Sequence, residues 1–147
     1  MQVGKIIAAF IVVLMSVTAN AQTPASVLAA FKAKYPDVKD VKWSATDKKA
    51  YEADFESGAT AYTATFTDDG KWVQTESGIE NDDLPPAVKA KLAKEFDGYL
   101  ITDAELVDTN DNGRLYNVHI ERGEEALVLL LNEDGKILKR GKDDDEG

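Results

Sequence analysis

The sequence predicts an α+β protein built of two tandem units. Each unit is a helix followed by a four-stranded antiparallel sheet, and the two pack as one body with the helices on one face. Three observations predict this. First, the chain repeats itself. Residues 51–71 (YEADFESGATAYTATFTDDGK) align without a gap on residues 116–136 (YNVHIERGEEALVLLLNEDGK), pairing Tyr51 with Tyr116, Gly58 with Gly123, Gly70 with Gly135 and Lys71 with Lys136. Tandem units of this kind set the architecture before any single residue is read. Second, each repeat is preceded by a proline-led stretch with apolar residues at helical spacing. Third, apolar and polar residues then alternate between tight turns, which is the period of half-buried strands.

The elements follow in order. Lys5, the apolar run Ile6–Met15 and the Ala19-Asn20-Ala21 cleavage pattern make residues 1–21 a signal peptide, with Gln22 as the new N-terminus. The apolar run is about half the roughly 20 residues a membrane span needs, so stable insertion after cleavage is not expected. The first repeat occupies residues 22–80. Thr23 as N-cap, Pro24 at the first helical position, Val27, Leu28, Phe31 and Tyr35 at helical spacing, and a stop at Pro36 predict a helix over Pro24–Tyr35. Val41-x-Trp43-x-Ala45, Tyr51-x-Ala53-x-Phe55 and Tyr62-x-Ala64-x-Phe66 predict three strands. Ser57-Gly58 and Asp68-Asp69-Gly70 turn the chain, and Trp72-Val73 open a fourth strand that fades near Ser77-Gly78.

The second repeat occupies residues 81–141. Pro85-Pro86 start a helix that carries Val88, Leu92 and Phe96 and stops at Gly98. Strands are predicted over Leu100–Val107, Leu115–Glu121, Ala126–Leu131 and Ile137–Lys139. Residues 142–147, which include Asp143-Asp144-Asp145-Glu146, form an acidic tail expected to be disordered. A four-stranded unit with one helix is marginal alone, so two side by side bury more and leave fewer open edges.

Charge and composition narrow the function. The chain has 17 Lys and Arg against 27 Asp and Glu, a formal charge of −10. Such a surface repels phosphate backbones and anionic lipid, which excludes nucleic acid as a partner and selects a basic one. Cys is absent, so an exported fold must hold by packing alone. That suits a bacterial periplasm or outer surface.

The pattern resembles the PepSY-like, beta-lactamase-inhibitor-like family of exported bacterial proteins. The residues that carry the resemblance are Pro24, Val27 and Phe31; Lys34-Tyr35-Pro36; Val41-Lys42-Trp43; Tyr51 to Phe55; Phe66 to Trp72; Leu84-Pro85 with Val88; Tyr116-Asn117-Val118; and Glu133 to Lys136. The resemblance implies tandem helix-plus-four-strand units, an exported location and binding rather than catalysis. It also implies a fold similar to the secreted beta-lactamase inhibitory protein. That inhibitor relies on loop residues and disulfides; this chain has no Cys and matches no inhibitory loop residue by residue, so lactamase inhibition is not carried over.

No catalytic residue, cofactor or metal site is predicted. A nucleophile needs a base beside it. The only His, His119, lies on the polar phase of its strand and corresponds to Asp54 in the sister repeat, which reads as a solvated surface position. Asp108 to Gly113 matches the first half of an EF-hand loop, but position 12 is His119 instead of the closing Glu. The segment also leads into a strand, so it reads as a hairpin turn.

The repeats differ most in their third strand. Thr63 and Thr65 of the first correspond to Val128 and Leu130 of the second, where Leu127–Leu131 is apolar on both phases. These four residues are the candidate partner-binding positions. The expected function is noncatalytic binding of another exported protein or peptide through an open sheet face and its hairpin loops, as an inhibitor or modulator. The alternatives are a structural or self-associating envelope protein, with Val128 and Leu130 buried in a homodimer, and an enzyme of unknown type.

Overall fold

A computed structural model of the chain describes residues 22–143. The expected signal peptide and the last four residues of the acidic tail lie outside them. The described elements are α1 (Ala25–Lys34), β1 (Val41–Ala45), β2 (Ala50–Ser57), β3 (Thr60–Thr67), β4 (Trp72–Gly78), a 3-10 turn (Asn81–Asp83), α2 (Pro86–Glu95), β5 (Leu100–Thr109), β6 (Gly113–Arg122), β7 (Glu125–Asn132) and β8 (Ile137–Lys142). The strands form one eight-stranded open antiparallel sheet in sequence order. Two compact units divide the chain. One holds residues 22–77 with Asp108–Gly113, and the other holds Gly78–Val107 with residues 114–143.

Both helices begin one residue later than the sequence suggests. Thr23 makes no cap. Pro24 takes the N-cap position instead, and its carbonyl accepts from the Val27 and Leu28 N–H groups, both at 3.1 Å. Pro85 does the same for α2, where its carbonyl accepts from Lys89 N–H at 3.0 Å. Proline at this position loses nothing, because it lacks the N–H that a helix start leaves unpaired. At the other end β8 runs through Lys142, and Asp143 N–H donates to Ala126 O at 2.9 Å. The chain is therefore ordered further into the tail than its composition suggests.

Each helix packs on one face of its own half-sheet, but the volume is divided differently. In the first unit the directly opposed residues Ala53 and Ala64 are small, and Phe31 of α1 packs on this side of the sheet. Its ring meets Phe55 and Trp43 edge-on at centroid distances of 5.2 and 5.3 Å, the favoured aromatic geometry. Tyr51, Tyr62 and Trp72 close the rim. In the second unit the corresponding pair is Val118 and Leu129, and α2 contributes the smaller Val88 and Leu92.

The repeats share finer details. Each has a β-bulge at the same place, between Thr65 and Phe66 and between Leu130 and Leu131. Each docks its second hairpin turn against the start of its helix through a left-handed glycine. A Cβ on Gly70 (φ 89°) would lie 2.7 Å from Ser26 O, and one on Gly135 (φ 79°) 2.4 Å from Ala87 O. Only glycine permits both the conformation and the approach.

Candidate functional site

The strand faces turned away from the helices carry the residues that distinguish the repeats. Alternation places Glu52 and Asp54 of β2, Thr63 and Thr65 of β3, and Gln74 and Glu76 of β4 together on this face of the first unit. Register aligns them into two rows, Glu52–Thr65–Gln74 and Asp54–Thr63–Glu76. Thr63 Oγ1 donates to Asp54 Oδ1 at 2.8 Å and Gln74 Nε2 to Glu76 Oε1 at 2.5 Å. Thr65 is buried and Thr63 half-buried. Burial, reinforced by the negative charges of Glu52 and Asp54, pushes the Glu76 carboxyl up to about 7. Glu52 is raised for the same two reasons, burial first and Asp54 second. Thr63, Asp54 and the Ser57-Gly58 turn also line an open cleft of about 1140 Å³ beside the segment Asp37–Lys42.

The same face of the second unit has different chemistry. His119 stands opposite Val128 and Asn117 opposite Leu130. Val128 and Leu130 are 1% and 3% exposed, and Leu130 joins Val107 and Leu115 in a cluster that contains no residue of α1 or α2. On β5, Ala104 belongs to the helix-side core, so Asp103 and Glu105 take the opposite phase. Asn117 Nδ2 donates to Glu105 Oε2 at 3.2 Å. The Asp103 carboxyl is raised by burial, partly offset by His119.

His119 is not the solvated residue its polar phase suggests. It is buried, and its Nδ1 lies 2.7 Å from Asp143 Oδ2. Asn117, on the same phase, is buried as well. Alternation reports the side of the strand, whereas burial depends on the neighbours on that side, here the apolar Val128 and Leu130. A His held by a carboxylate is two-thirds of a hydrolytic triad, but among the described residues His119 Nε2 has no hydrogen-bond partner, hydroxyl or otherwise. Sequence reasoning missed Asp143 and Glu105 as partners. The available signal was the exchange of two acids, Glu52 and Asp54, for an amide and an imidazole beside a leucine-rich strand.

The Asp108–Gly113 segment is a hairpin turn. Gly113 has φ 66°, Thr109 Oγ1 donates to Gly113 O at 2.8 Å and accepts from Asn112 N–H at 2.9 Å, and Asn110 Nδ2 donates to Trp72 O at 3.1 Å. These bonds hold the segment as a tight turn between β5 and β6. Among the described residues no three His, Cys, Asp or Glu side chains are grouped to hold a metal ion, and no helix is long and apolar enough to cross a membrane.

The described residues, with two α-helices and one eight-stranded open sheet duplicated by halves, resemble several solved structures. The chain belongs to the family described as putative beta-lactamase-inhibitor-like, PepSY-like, whose model matches residues 14–60 and 49–139. Among solved structures it is similar to a DUF2874 family protein from Bacteroides uniformis, with a TM-score of 0.75 and 25% identity over 82% of this chain and 90% of that one. It is similar to a BLIP-like protein from Bacteroides fragilis, with a TM-score of 0.71 and 22% identity over 84% and 89% of the two chains. A third, from Bacteroides eggerthii and described as a putative periplasmic protein, has a TM-score of 0.74 and 24% identity over 83% and 90%. Comparison with curated proteins finds no match.

Proposed function

We propose that this chain is a noncatalytic exported binding protein. It docks another exported protein or peptide on its helix-free sheet face and hairpin loops and acts as an inhibitor or modulator. Residues 1–21 direct export and are removed, and the mature protein works in the periplasm or outside the cell. The family's inhibitor-like description and the periplasmic and BLIP-like descriptions of two structural relatives support this reading. The observation that carries it is the apolar cluster of Val107, Leu115 and Leu130, which lies on the sheet side away from α2. The three are only 2–4% exposed and none of the described helix residues joins their cluster, so apolar character rather than open area sets this face apart from the first unit's.

The test transplants one repeat onto the other. Val128→Thr and Leu130→Thr place the first repeat's Thr63 and Thr65 at the equivalent positions and put β-branched strand formers at both. Partners captured from periplasmic extract by the exported protein are compared with those of the double variant, with circular dichroism confirming the fold. Loss of a specific partner is expected, and an unchanged set overturns the proposal. The same apolar strand also suits self-association. Sedimentation showing a dimer that Leu130→Asp dissociates would favour an envelope structural role.

A further inference from the structure

The turn between β5 and β6 carries the step Asn112-Gly113. Both residues are exposed, and a Cβ placed on Gly113 would meet nothing within 4 Å. The Asn112 backbone N–H donates to Thr109 Oγ1 at 2.9 Å, but its side-chain amide makes no hydrogen bond among the described residues. The other described asparagines differ. Asn117 is 2% exposed. Asn110 and Asn81 donate their side-chain N–H groups to Trp72 O at 3.1 Å and Ile101 O at 3.5 Å. Asn132 Oδ1 accepts from the Asp134 and Lys136 N–H groups at 3.1 and 2.9 Å. Each of them is followed by a residue with a side chain: Val118, Asp111, Asp82 and Glu133. Among the described residues only Asn112 combines an unbonded, exposed amide with a following glycine.

From this contrast we infer that Asn112-Gly113 is a self-modification site, at which the Asn112 side chain deamidates through a cyclic imide. The Gly113 backbone nitrogen attacks Asn112 Cγ and gives up its proton. A C–N bond forms, and Nδ2 leaves with that proton as ammonia. Glycine favours the attack because no Cβ crowds its nitrogen, and asparagine is a thermolabile residue type. Water then opens the ring. Hydrolysis at Cγ leaves aspartate. Hydrolysis at the main-chain carbonyl leaves isoaspartate, in which the chain runs through Cγ and is one carbon longer. Thr109 Oγ1 straddles this bond, accepting from Asn112 N–H and donating to Gly113 O at 2.8 Å. A longer chain between those two groups breaks the clasp. Asn110 ties the same turn to β4, with its N–H donating to Val73 O at 2.9 Å and its Nδ2 to Trp72 O. The turn and β4 up to Ser77 belong to one compact unit. Isoaspartate at position 112 therefore loosens the turn from β4, whereas aspartate adds a charge and leaves the backbone as it was.

The experiment incubates the folded protein in mildly alkaline buffer made with heavy-oxygen water. Peptides are mapped by mass spectrometry, and hydroxylamine is used to cleave the imide. Heavy oxygen should enter residue 112, and hydroxylamine should cut between Asn112 and Gly113, at least tenfold faster than at any other asparagine. Asn112→Gln, whose side chain would have to close a larger ring, should abolish both signals. Asn112→Ser serves where that variant disturbs the turn. Conversion confined to urea-unfolded protein overturns the proposal, as does equal conversion at Asn81, Asn110 or Asn132. Hydrogen exchange then reads the consequence. The Asn110 N–H should exchange at least tenfold faster in the purified isoaspartate form and no faster in Asn112→Asp. Unchanged exchange in the isoaspartate form overturns the loosening of the turn.

Discussion

On the first unit's helix-free face Asp54 stands opposite Thr63 and Thr63 opposite Glu76; on the second, His119 stands opposite Val128 and Val128 opposite Gly141. The neighbouring row reads Glu52–Thr65–Gln74 in one and Asn117–Leu130–Lys139 in the other. Register and bulge are the same, yet every side chain differs. On the helix side the repeats keep apolar character and exchange only volume between helix and sheet. The fold therefore constrains one face and leaves the other free to carry acid and hydroxyl in one repeat, and buried apolar side chains with an amide and an imidazole in the other.

The largest expected effect concerns what the repeats share. Gly135→Ala forces a left-handed residue and a Cβ 2.4 Å from Ala87 O and 2.8 Å from its carbonyl carbon. The conformation costs about 1–2 kcal/mol and the overpacking about 1–3 kcal/mol more. Gly70→Ala meets Ser26 O at 2.7 Å and should lose less. Gly58→Ala and Gly123→Ala have the same backbone sign with nothing within 4 Å, so they report the conformational cost alone. Urea midpoints should rank Gly135, then Gly70, then the two open turns. Equal losses at all four would mean that the turn-to-helix contact contributes nothing.

A second contrast lies in how each unit treats its polar residues. Asp54 is exposed and bonded by Thr63, whereas His119 at the equivalent position is buried and held by Asp143. Asp143→Ala should lower stability by about 1–3 kcal/mol, the cost of leaving a buried donor unmade, while Thr63→Val should change it by less. A His119 ring resonance that does not move in Asp143→Ala would show that the contact is not formed in solution.

Much of this was legible in the sequence because the repeat supplied its own control. Paired glycines marked the turns, alternation gave every strand, and proline marked both helix starts to within a residue. The Thr23 cap was wrong because Pro24 itself takes the N-cap position and its carbonyl accepts from the Val27 and Leu28 N–H groups. The burial of His119 was missed because alternation gives phase but not cover. The raised carboxyl of Glu76 was beyond reach. It depends first on burial and then on Glu52 and Asp54 two strands away, and both burial and register across β2, β3 and β4 are properties of the folded sheet.

The smallest effect is on the acidic face itself. The Glu76 carboxyl lies at about 7 in the fold and near the ordinary glutamate value of about 4.3 when unfolded. The folded state thus holds a proton that the unfolded chain has released between these values. Stability from this group is fully present below about pH 4.3 and is lost as pH rises through about 7. The second unit, with Gly141 in the matching place, has no such group. Glu76→Gln should flatten the decline between pH 5 and 8 and make the protein more stable at pH 8, by on the order of 1 kcal/mol for a half-buried, solvent-screened group. Urea unfolding of both proteins at several pH values reads this directly. Identical slopes would mean that water reaches Glu76 freely and that the three carboxylates do not act on one another, leaving the contrast between the two faces one of shape and polarity alone.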